Sequence, residues 1–114
     1  MKNTQLNRML IDSFPDLTNA YQDEVDWQEG DETGSHTVYG DVFTPYVVKC
    51  IETKNSNELN KIFEFIESLL SKQDTYVDEV LAFSVIESLE YLLKENQEII
   101  DMMGKRTKDL LEEL

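Results

Sequence analysis

The chain has 114 residues, a size at which one hydrophobic core is the usual arrangement. Its net charge of −14 opposes direct contact with nucleic acid and with anionic membranes, so a basic protein is the natural electrostatic partner. Cys50 is the only cysteine, and no apolar run approaches the roughly 20 residues of a membrane span. The first residues also lack the apolar region of a signal peptide. These features predict a cytoplasmic protein with a single domain over residues 1–114.

Apolar residues spaced three and four apart predict two helices near the amino terminus. Leu6, Met9 and Leu10 share one face of the first helix. Phe14-Pro15 interrupts that helix, and Pro15 suits the first turn of the second. The second helix is predicted to bury Leu17, Ala20, Tyr21 and Val25.

Residues 29–37 contain two glycines and no large apolar side chain, which predicts an exposed acidic loop. The loop is rich in oxygen ligands, so calcium has to be considered. With Gly34 at the sixth position of an EF-hand frame, Gly40 falls at the twelfth, where the bidentate Glu is required. The frame fails, and no metal or cofactor site is predicted, although weak cation binding by the loop stays open.

Helical periodicity resumes at Val38 but contains a proline, Pro45. One interpretation starts a helix near Asp41 and lets Pro45 bend its first turns. The other starts the helix at Thr44 and leaves residues 38–43 extended. We favour the start near Asp41.

The rest of the chain predicts amphipathic helices joined by short links. Asn55 with Glu58, and then Asp74, have the spacing of helix caps. Gly104 is predicted to end a short helix in the left-handed conformation. The predicted fold is all-α, a compact bundle of about six antiparallel helices arranged as helical hairpins. The predicted core positions of these helices are Leu59, Ile62, Phe63, Ile66, Leu69, Leu70, Val77, Val80, Leu81, Ser84, Val85, Leu89 and Leu92.

No catalytic constellation is recognisable. His36 is the only histidine, and Cys50 is expected to pack in the core as a small hydrophobe. An enzyme that uses His36 or Asp41 remains an alternative, which requires the two side chains to meet in a pocket. The chain is therefore predicted not to be an enzyme.

The negative charge is concentrated in residues 9–48, which contain nine acids and no Lys or Arg; we call them the base-free segment. They also contain Trp27, the only tryptophan. One interpretation is that the aromatic side chains pack under the loop while the acids are solvated. The other is a docking face for a basic protein, with acids steering the encounter and aromatics as anchors. The predicted partner-binding residues are Asp23, Glu24, Asp26, Trp27, Glu29, Asp31, Glu32, His36, Tyr39 and Asp41.

Two short motifs carry a resemblance to a known family. His36-Thr37-Val38-Tyr39-Gly40-Asp41 fits H-x-x-[FY]-G-D, and residues 104–111 fit G-x-x-[TS]-[RK]-x-L-L. Over roughly residues 10–114 the chain resembles small acidic bacterial proteins that are known only as a domain of unknown function. In size and charge such proteins resemble the immunity proteins of bacterial toxin systems. The resemblance implies an all-α domain and suggests a toxin-neutralising role, and it gives no catalytic residues to carry over.

The preferred functional prediction is a non-enzymatic interaction domain, with an immunity protein that neutralises a basic toxin as the specific hypothesis. A different class of inhibitor is the main alternative: a mimic of DNA charge that occupies a nucleic-acid-binding protein.

Overall fold

The computed structural model describes residues 1–114 and contains seven helices and no strand, so the predicted all-α fold is confirmed. Short 3₁₀ turns, Pro15–Leu17 and Gly30–Glu32, precede the second and third helices. The helices are α1 (Asn3–Ser13), α2 (Thr18–Asp26), α3 (residues 35–52), α4 (Ser56–Leu70), α5 (residues 75–93), α6 (Gln97–Ile100) and α7 (Lys105–Glu112).

Helix α3 starts earlier than the sequence predicts. It accommodates Pro45 by changing from α-helical to π-helical hydrogen bonding. Its α-helical parts, Ser35–Val38 and Thr44–Glu52, are joined by a π-helical segment, Tyr39–Phe43. Pro45 has no N–H to continue the α-helical ladder, and the wider π register immediately before it avoids a break. The predicted start near Asp41 is therefore wrong, and residues 38–43 are helical rather than extended.

Helix α5 has the same construction, with a π-helical segment, Leu81–Ile86, between α-helical Thr75–Val80 and Glu87–Leu93. The π-helical segments of α3 and α5 pack against each other. At their contact the Thr44 hydroxyl donates a hydrogen bond of 2.7 Å to the backbone carbonyl of Ser84.

Helices α3, α4 and α5 form an up-down-up layer. The short links between them make consecutive helices antiparallel. Helices α3 and α5, in contrast, lie side by side in the same direction, because residues 35–38 of α3 contact the π-helical segment of α5 while Thr44–Glu52 packs against Glu87–Leu93. Helix α1 packs against the start of α3, and α7 packs against α4.

Two of the three predicted helix ends are confirmed. The Asn55 side chain accepts a hydrogen bond of 3.3 Å from the backbone N–H of Glu58, and Asp74 accepts one of 3.1 Å from that of Val77. Gly104 is not left-handed: its φ of −73° and ψ of 171° are extended, and it serves as the N-cap of α7. The helix end that the sequence suggested is thus the beginning of the next helix.

The buried apolar side chains form one continuous cluster. Every helix has either a buried side chain in this cluster or a half-buried one packed against it. An aromatic group lies within it: the ring of Phe14 is 5.5 Å from that of Phe43 and 5.3 Å from that of Phe65, measured between centroids. Cys50 is buried, as predicted, whereas Ala20 is exposed on α2 and does not join the core. Among the predicted core positions of α4 and α5, only Ser84 and Leu92 are half-buried rather than buried.

Candidate interaction surface

Trp27 follows α2 directly and is the most exposed large apolar side chain, with 71 % of its surface accessible. The interpretation that it packs under the loop is therefore wrong. That interpretation does hold for Tyr21 and Tyr39, which are buried. Most of the indole surface is not buried within this chain. It is therefore free to be covered by another molecule.

The acids around Trp27 have no positive partner. Asp23, Asp26, Glu29 and Glu32 are exposed. Glu24 is half-buried and accepts a hydrogen bond of 3.2 Å from the amide of Gln28. None of the chain's five salt bridges involves an acid of the base-free segment.

Three of these acids lie where a helix disfavours negative charge. Asp23, Glu24 and Asp26 belong to the final turn and a half of α2, whose last turn contains no basic residue. The carboxyl end of a helix carries partial negative charge, so acids there reduce the stability of the helix. The arrangement does not help the fold, which favours a role for these acids in contact with something outside it.

The segment after Trp27 is held firmly to α1 rather than free. Asn7 is completely buried; its amide donates to the carbonyl of Thr33 at 2.8 Å, and its side-chain oxygen accepts from the Ser35 hydroxyl at 2.8 Å. The backbone N–H of Ser35 donates to the Asn3 side chain at 3.0 Å. Since Thr33 and Ser35 are buried and α3 begins at Ser35, the predicted exposed loop of residues 29–37 is shorter and more ordered than its composition suggests.

Asp31 is the one predicted acid that accepts a hydrogen bond from a buried side chain. The Tyr21 hydroxyl donates a hydrogen bond of 2.8 Å to its carboxylate. Burial, together with the hydrogen bond to and the charge of Asp31, raises the pKa of Tyr21 to about 12. The same contact occupies one carboxylate oxygen of Asp31, so Asp31 is less available to a partner than Glu29 or Glu32.

Tyr39 cannot contact a partner, and its place among the predicted binding residues is wrong. Its ring is completely buried, and its hydroxyl donates a hydrogen bond of 2.7 Å to the backbone carbonyl of Leu6. Burial raises the pKa of Tyr39 well above its usual range. The aromatic position of the H-x-x-[FY]-G-D motif therefore joins α3 to α1.

His36 and Asp41 do not come together. The Nδ1 atom of His36 lies 2.7 Å from the Ser84 hydroxyl oxygen, and its ring meets that of Tyr76 edge to face at 5.7 Å. Asp41 is exposed and makes no side-chain hydrogen bond or salt bridge. No hydrogen bond joins His36 to Asp41, and His36 belongs to the contact between α3 and α5.

The sequence did not single out two further exposed aromatic residues. Phe83 and Tyr91 of α5 are 58 % and 64 % accessible. Within the run from Val80 to Ile86, Phe83 is the one exposed side chain. Tyr91 lies eight positions after Phe83. This spacing is the only sequence feature that predicts both side chains on the same side of a helix.

A family described as a domain of unknown function (DUF7674) matches residues 7–113. The chain belongs to this family. Its family description names no activity, so function has to be argued from the surface. No curated protein and no solved structure matches the chain. No group of three or more His, Cys, Asp or Glu side chains is arranged to hold a metal ion, and none of the helices is long and apolar enough to cross a membrane.

Proposed function

We propose that the chain is a non-enzymatic interaction domain that binds a basic protein partner. The binding site in this proposal is the Trp27 surface, which we define as Asp23, Asp26, Trp27, Glu29 and Glu32. One observation carries the proposal: a highly exposed tryptophan lies in a stretch of the chain whose exposed acids form no salt bridge.

The physical roles of the two residue types differ. Unpaired carboxylates create a negative potential that accelerates the encounter with a basic partner and selects against acidic ones. Tryptophan is among the residue types most often found as energetic hot spots, because a large rigid side chain is desolvated at little entropic cost. Acids alone would give weak, nonspecific attraction, and the indole supplies an anchor for one partner.

A rigid platform supports this arrangement. The bonds from Asn7 to Thr33 and Ser35 fix the segment that follows Trp27. A partner therefore meets acids whose backbone positions are already set, which reduces the conformational entropy lost on binding.

The specific form of the proposal is an immunity protein that blocks a basic toxin domain, such as a nuclease, in the cytoplasm. Its support is the small size, the net charge of −14 and the predicted absence of a catalytic site. A nuclease must carry positive charge to hold its substrate, and an acidic surface complements that charge. A gene directly upstream that encodes a secreted protein with a toxin domain would support this form further.

The test is affinity capture from cells of the source organism with the intact chain, followed by measurement of Kd for the captured protein. We expect a basic protein whose affinity falls steeply with salt. Trp27→Ala and the double variant Asp26→Lys with Glu29→Lys should each weaken binding at least about tenfold. Glu95→Lys with Glu98→Lys is the matched control, because both acids are exposed and lie outside the base-free segment.

The proposal fails if no basic protein is captured, or if the control variant weakens binding as much as the Asp26 and Glu29 variant. A captured protein that is released by competing DNA, and whose binding does not depend on Trp27, would instead favour a mimic of DNA charge.

A further inference from the structure

Four exposed positions of α5 form a line of alternating acids and aromatics. Glu79, Phe83, Glu87 and Tyr91 are each exposed and follow one another at intervals of four residues. Side chains at this spacing lie on the same side of a helix. We call these four residues the α5 stripe.

Phe83 is exposed because of the π-helical register of α5, and its ring does not pack in the core. Its neighbours Leu81, Ala82, Val85 and Ile86 are buried against the rest of the bundle. The π register adds a residue to the turn, and the inward side is already filled, so one apolar side chain is turned outward. Such π-helical segments occur often at functional sites. The exposed part of the Phe83 ring buries no apolar surface within the chain and so contributes little to folding.

The charges beside these aromatics determine what kind of molecule can cover them. No Lys or Arg occurs between Lys72 and Lys94, and neither Glu79 nor Glu87 forms a salt bridge. A second copy of the chain on this face would place glutamates opposite glutamates. An anionic membrane would be repelled in the same way. A basic molecule with apolar side chains is the complement.

We propose that the α5 stripe is a second docking surface, which takes a basic amphipathic helix of a partner protein. Phe83 and Tyr91 are eight residues apart, about 12 Å along the helix axis. A partner helix would match this distance with apolar anchors at positions i and i+7, and with Lys or Arg between them to meet Glu87. The proposal does not depend on the Trp27 surface, which lies on α2 and the turn after it.

The probe is a synthetic 18-residue helical peptide with two leucines seven positions apart, lysines between and around them, and otherwise alanine. A scrambled peptide of identical composition places the two leucines on opposite faces. Each is titrated into the intact chain at low and at high salt, with calorimetry for Kd and amide chemical shifts for the location. We expect the patterned peptide to bind at α5 and the scrambled one to bind at least about tenfold more weakly.

Variants of the protein complete the test. Phe83→Ala with Tyr91→Ala should weaken binding of the patterned peptide about tenfold or more, and Glu87→Lys should weaken it with a reduced dependence on salt. Trp27→Ala should leave it unchanged. Because the altered side chains are largely exposed, the variants should keep the helical circular dichroism spectrum and Tm of the parent.

Three results would overturn the proposal: equal affinity for both peptides, shifts that centre on Trp27, or no measurable binding. Self-association in sedimentation that Phe83→Ala abolishes would also overturn it, because a second copy would then be the occupant. Loss of peptide binding in the Trp27→Ala variant would overturn it too, because the peptide would then occupy the Trp27 surface. Binding of the protein captured from cells tests the proposed function separately, so failures of the two proposals can be told apart.

Discussion

The two parts of the chain, residues 1–48 and residues 49–114, use their acids differently. Residues 9–48 contain nine acids without a base, and none of these acids forms a salt bridge. Residues 49–114 contain fifteen acids and eight bases, and all five salt bridges take their acid from this part. The net charge hides this difference. The chain has one group of carboxylates without salt bridges and a second group that includes all the salt-bridged ones.

Uncharged polar groups do the structural work in the first part. Asn7, Ser35 and Tyr39 form the buried hydrogen bonds that join α1 to the start of α3. In the second part carboxylates do this work: Asp74 caps α5, and Glu67 of α4 caps the adjacent helix α7. Apart from Asp31, the acids of the base-free segment are free of such roles, and this freedom is what makes them available to a partner.

The largest expected effect is on the amide network of the first part. Asn7→Ala removes two bonds of 2.8 Å and leaves the Thr33 carbonyl and Ser35 hydroxyl buried without them. We expect a loss of about 2–3 kcal/mol in the free energy of unfolding, measured by urea denaturation. Hydrogen exchange should also quicken in residues 30–36, because their anchor to α1 is lost.

Asn19→Ala in α2 is the control, since Asn19 is exposed, and it should change stability by less than about 0.5 kcal/mol. An Asn7→Ala protein as stable as this control would show that uncharged groups do not hold the first part together.

The second effect concerns the structural acid of the second part. Glu67 accepts hydrogen bonds of 3.1 Å from the backbone N–H groups of Arg106 and Thr107, at the first turn of α7. Loss of a helix cap costs about 0.5–2 kcal/mol, so Glu67→Ala should destabilise the chain by about 1–2 kcal/mol in urea. Glu64→Ala, an exposed acid on the same helix, should have little effect.

Gly104 makes this prediction sharper. A Cβ atom at Gly104 would overlap the Glu67 carboxylate, so Gly104→Ala should destabilise the parent chain. In the Glu67→Ala background the same change should be close to neutral, because the carboxylate is gone. Additive effects in this double-mutant cycle would contradict the capping contact.

The features that were predictable from sequence are those with local causes. Asn55 and Asp74 each lie three residues before the N–H that they cap, so the sequence spacing is the structural contact. The apolar periodicity of α4 likewise corresponds to one buried face. Such signals do not depend on the rest of the fold.

The features that were missed depend on contacts far along the chain. Pro45 suggested an interruption, but the π register of α3, packed on that of α5, keeps the helix continuous. Gly104 was predicted to end a helix, but it leaves space for the carboxylate of Glu67. Glu67 is 37 residues away in sequence, so this contact could not be read from the residues around Gly104. The candidate surface divides in the same way. The acid density and Trp27 were visible in the sequence, whereas the hydrogen bond from Tyr39 to Leu6, which removes Tyr39 from the surface, joins residues far apart in the chain.

A smaller effect is expected at Asp78, where a carboxylate of the second part lacks a partner. One of its oxygens is buried without a hydrogen bond, in a cleft shared with Arg106, Asp109 and Glu113. Burial, and then the charges of Asp74 and Glu113, raise the pKa of Asp78. Stability from this group is therefore fully present below its unfolded pKa of about 4 and is lost as the pH rises through the folded value.

Asp78→Asn removes this titration. We expect a Tm that exceeds that of the parent by a few degrees at pH 7, with a difference that shrinks towards pH 4. Glu79→Gln, an exposed neighbour, should show no such trend. A constant difference between the two Tm curves at every pH would contradict the cause given for the shift.

The smallest expected effect is the change in stability when one carboxylate of each part is neutralised. The change should be stabilising in the first part and destabilising in the second. Asp26 lies at the unfavourable end of α2 without a salt bridge, so Asp26→Asn should stabilise the chain by roughly 0.3 kcal/mol. Glu90 pairs with Lys94 at 2.7 Å on α5, so Glu90→Gln should destabilise it by about 0.3–0.5 kcal/mol. Both differences should shrink in 1 M NaCl, measured by urea denaturation, since screening weakens exposed charges. If both substitutions destabilise equally, the acids at the end of α2 contribute to the fold, and their placement no longer favours a partner.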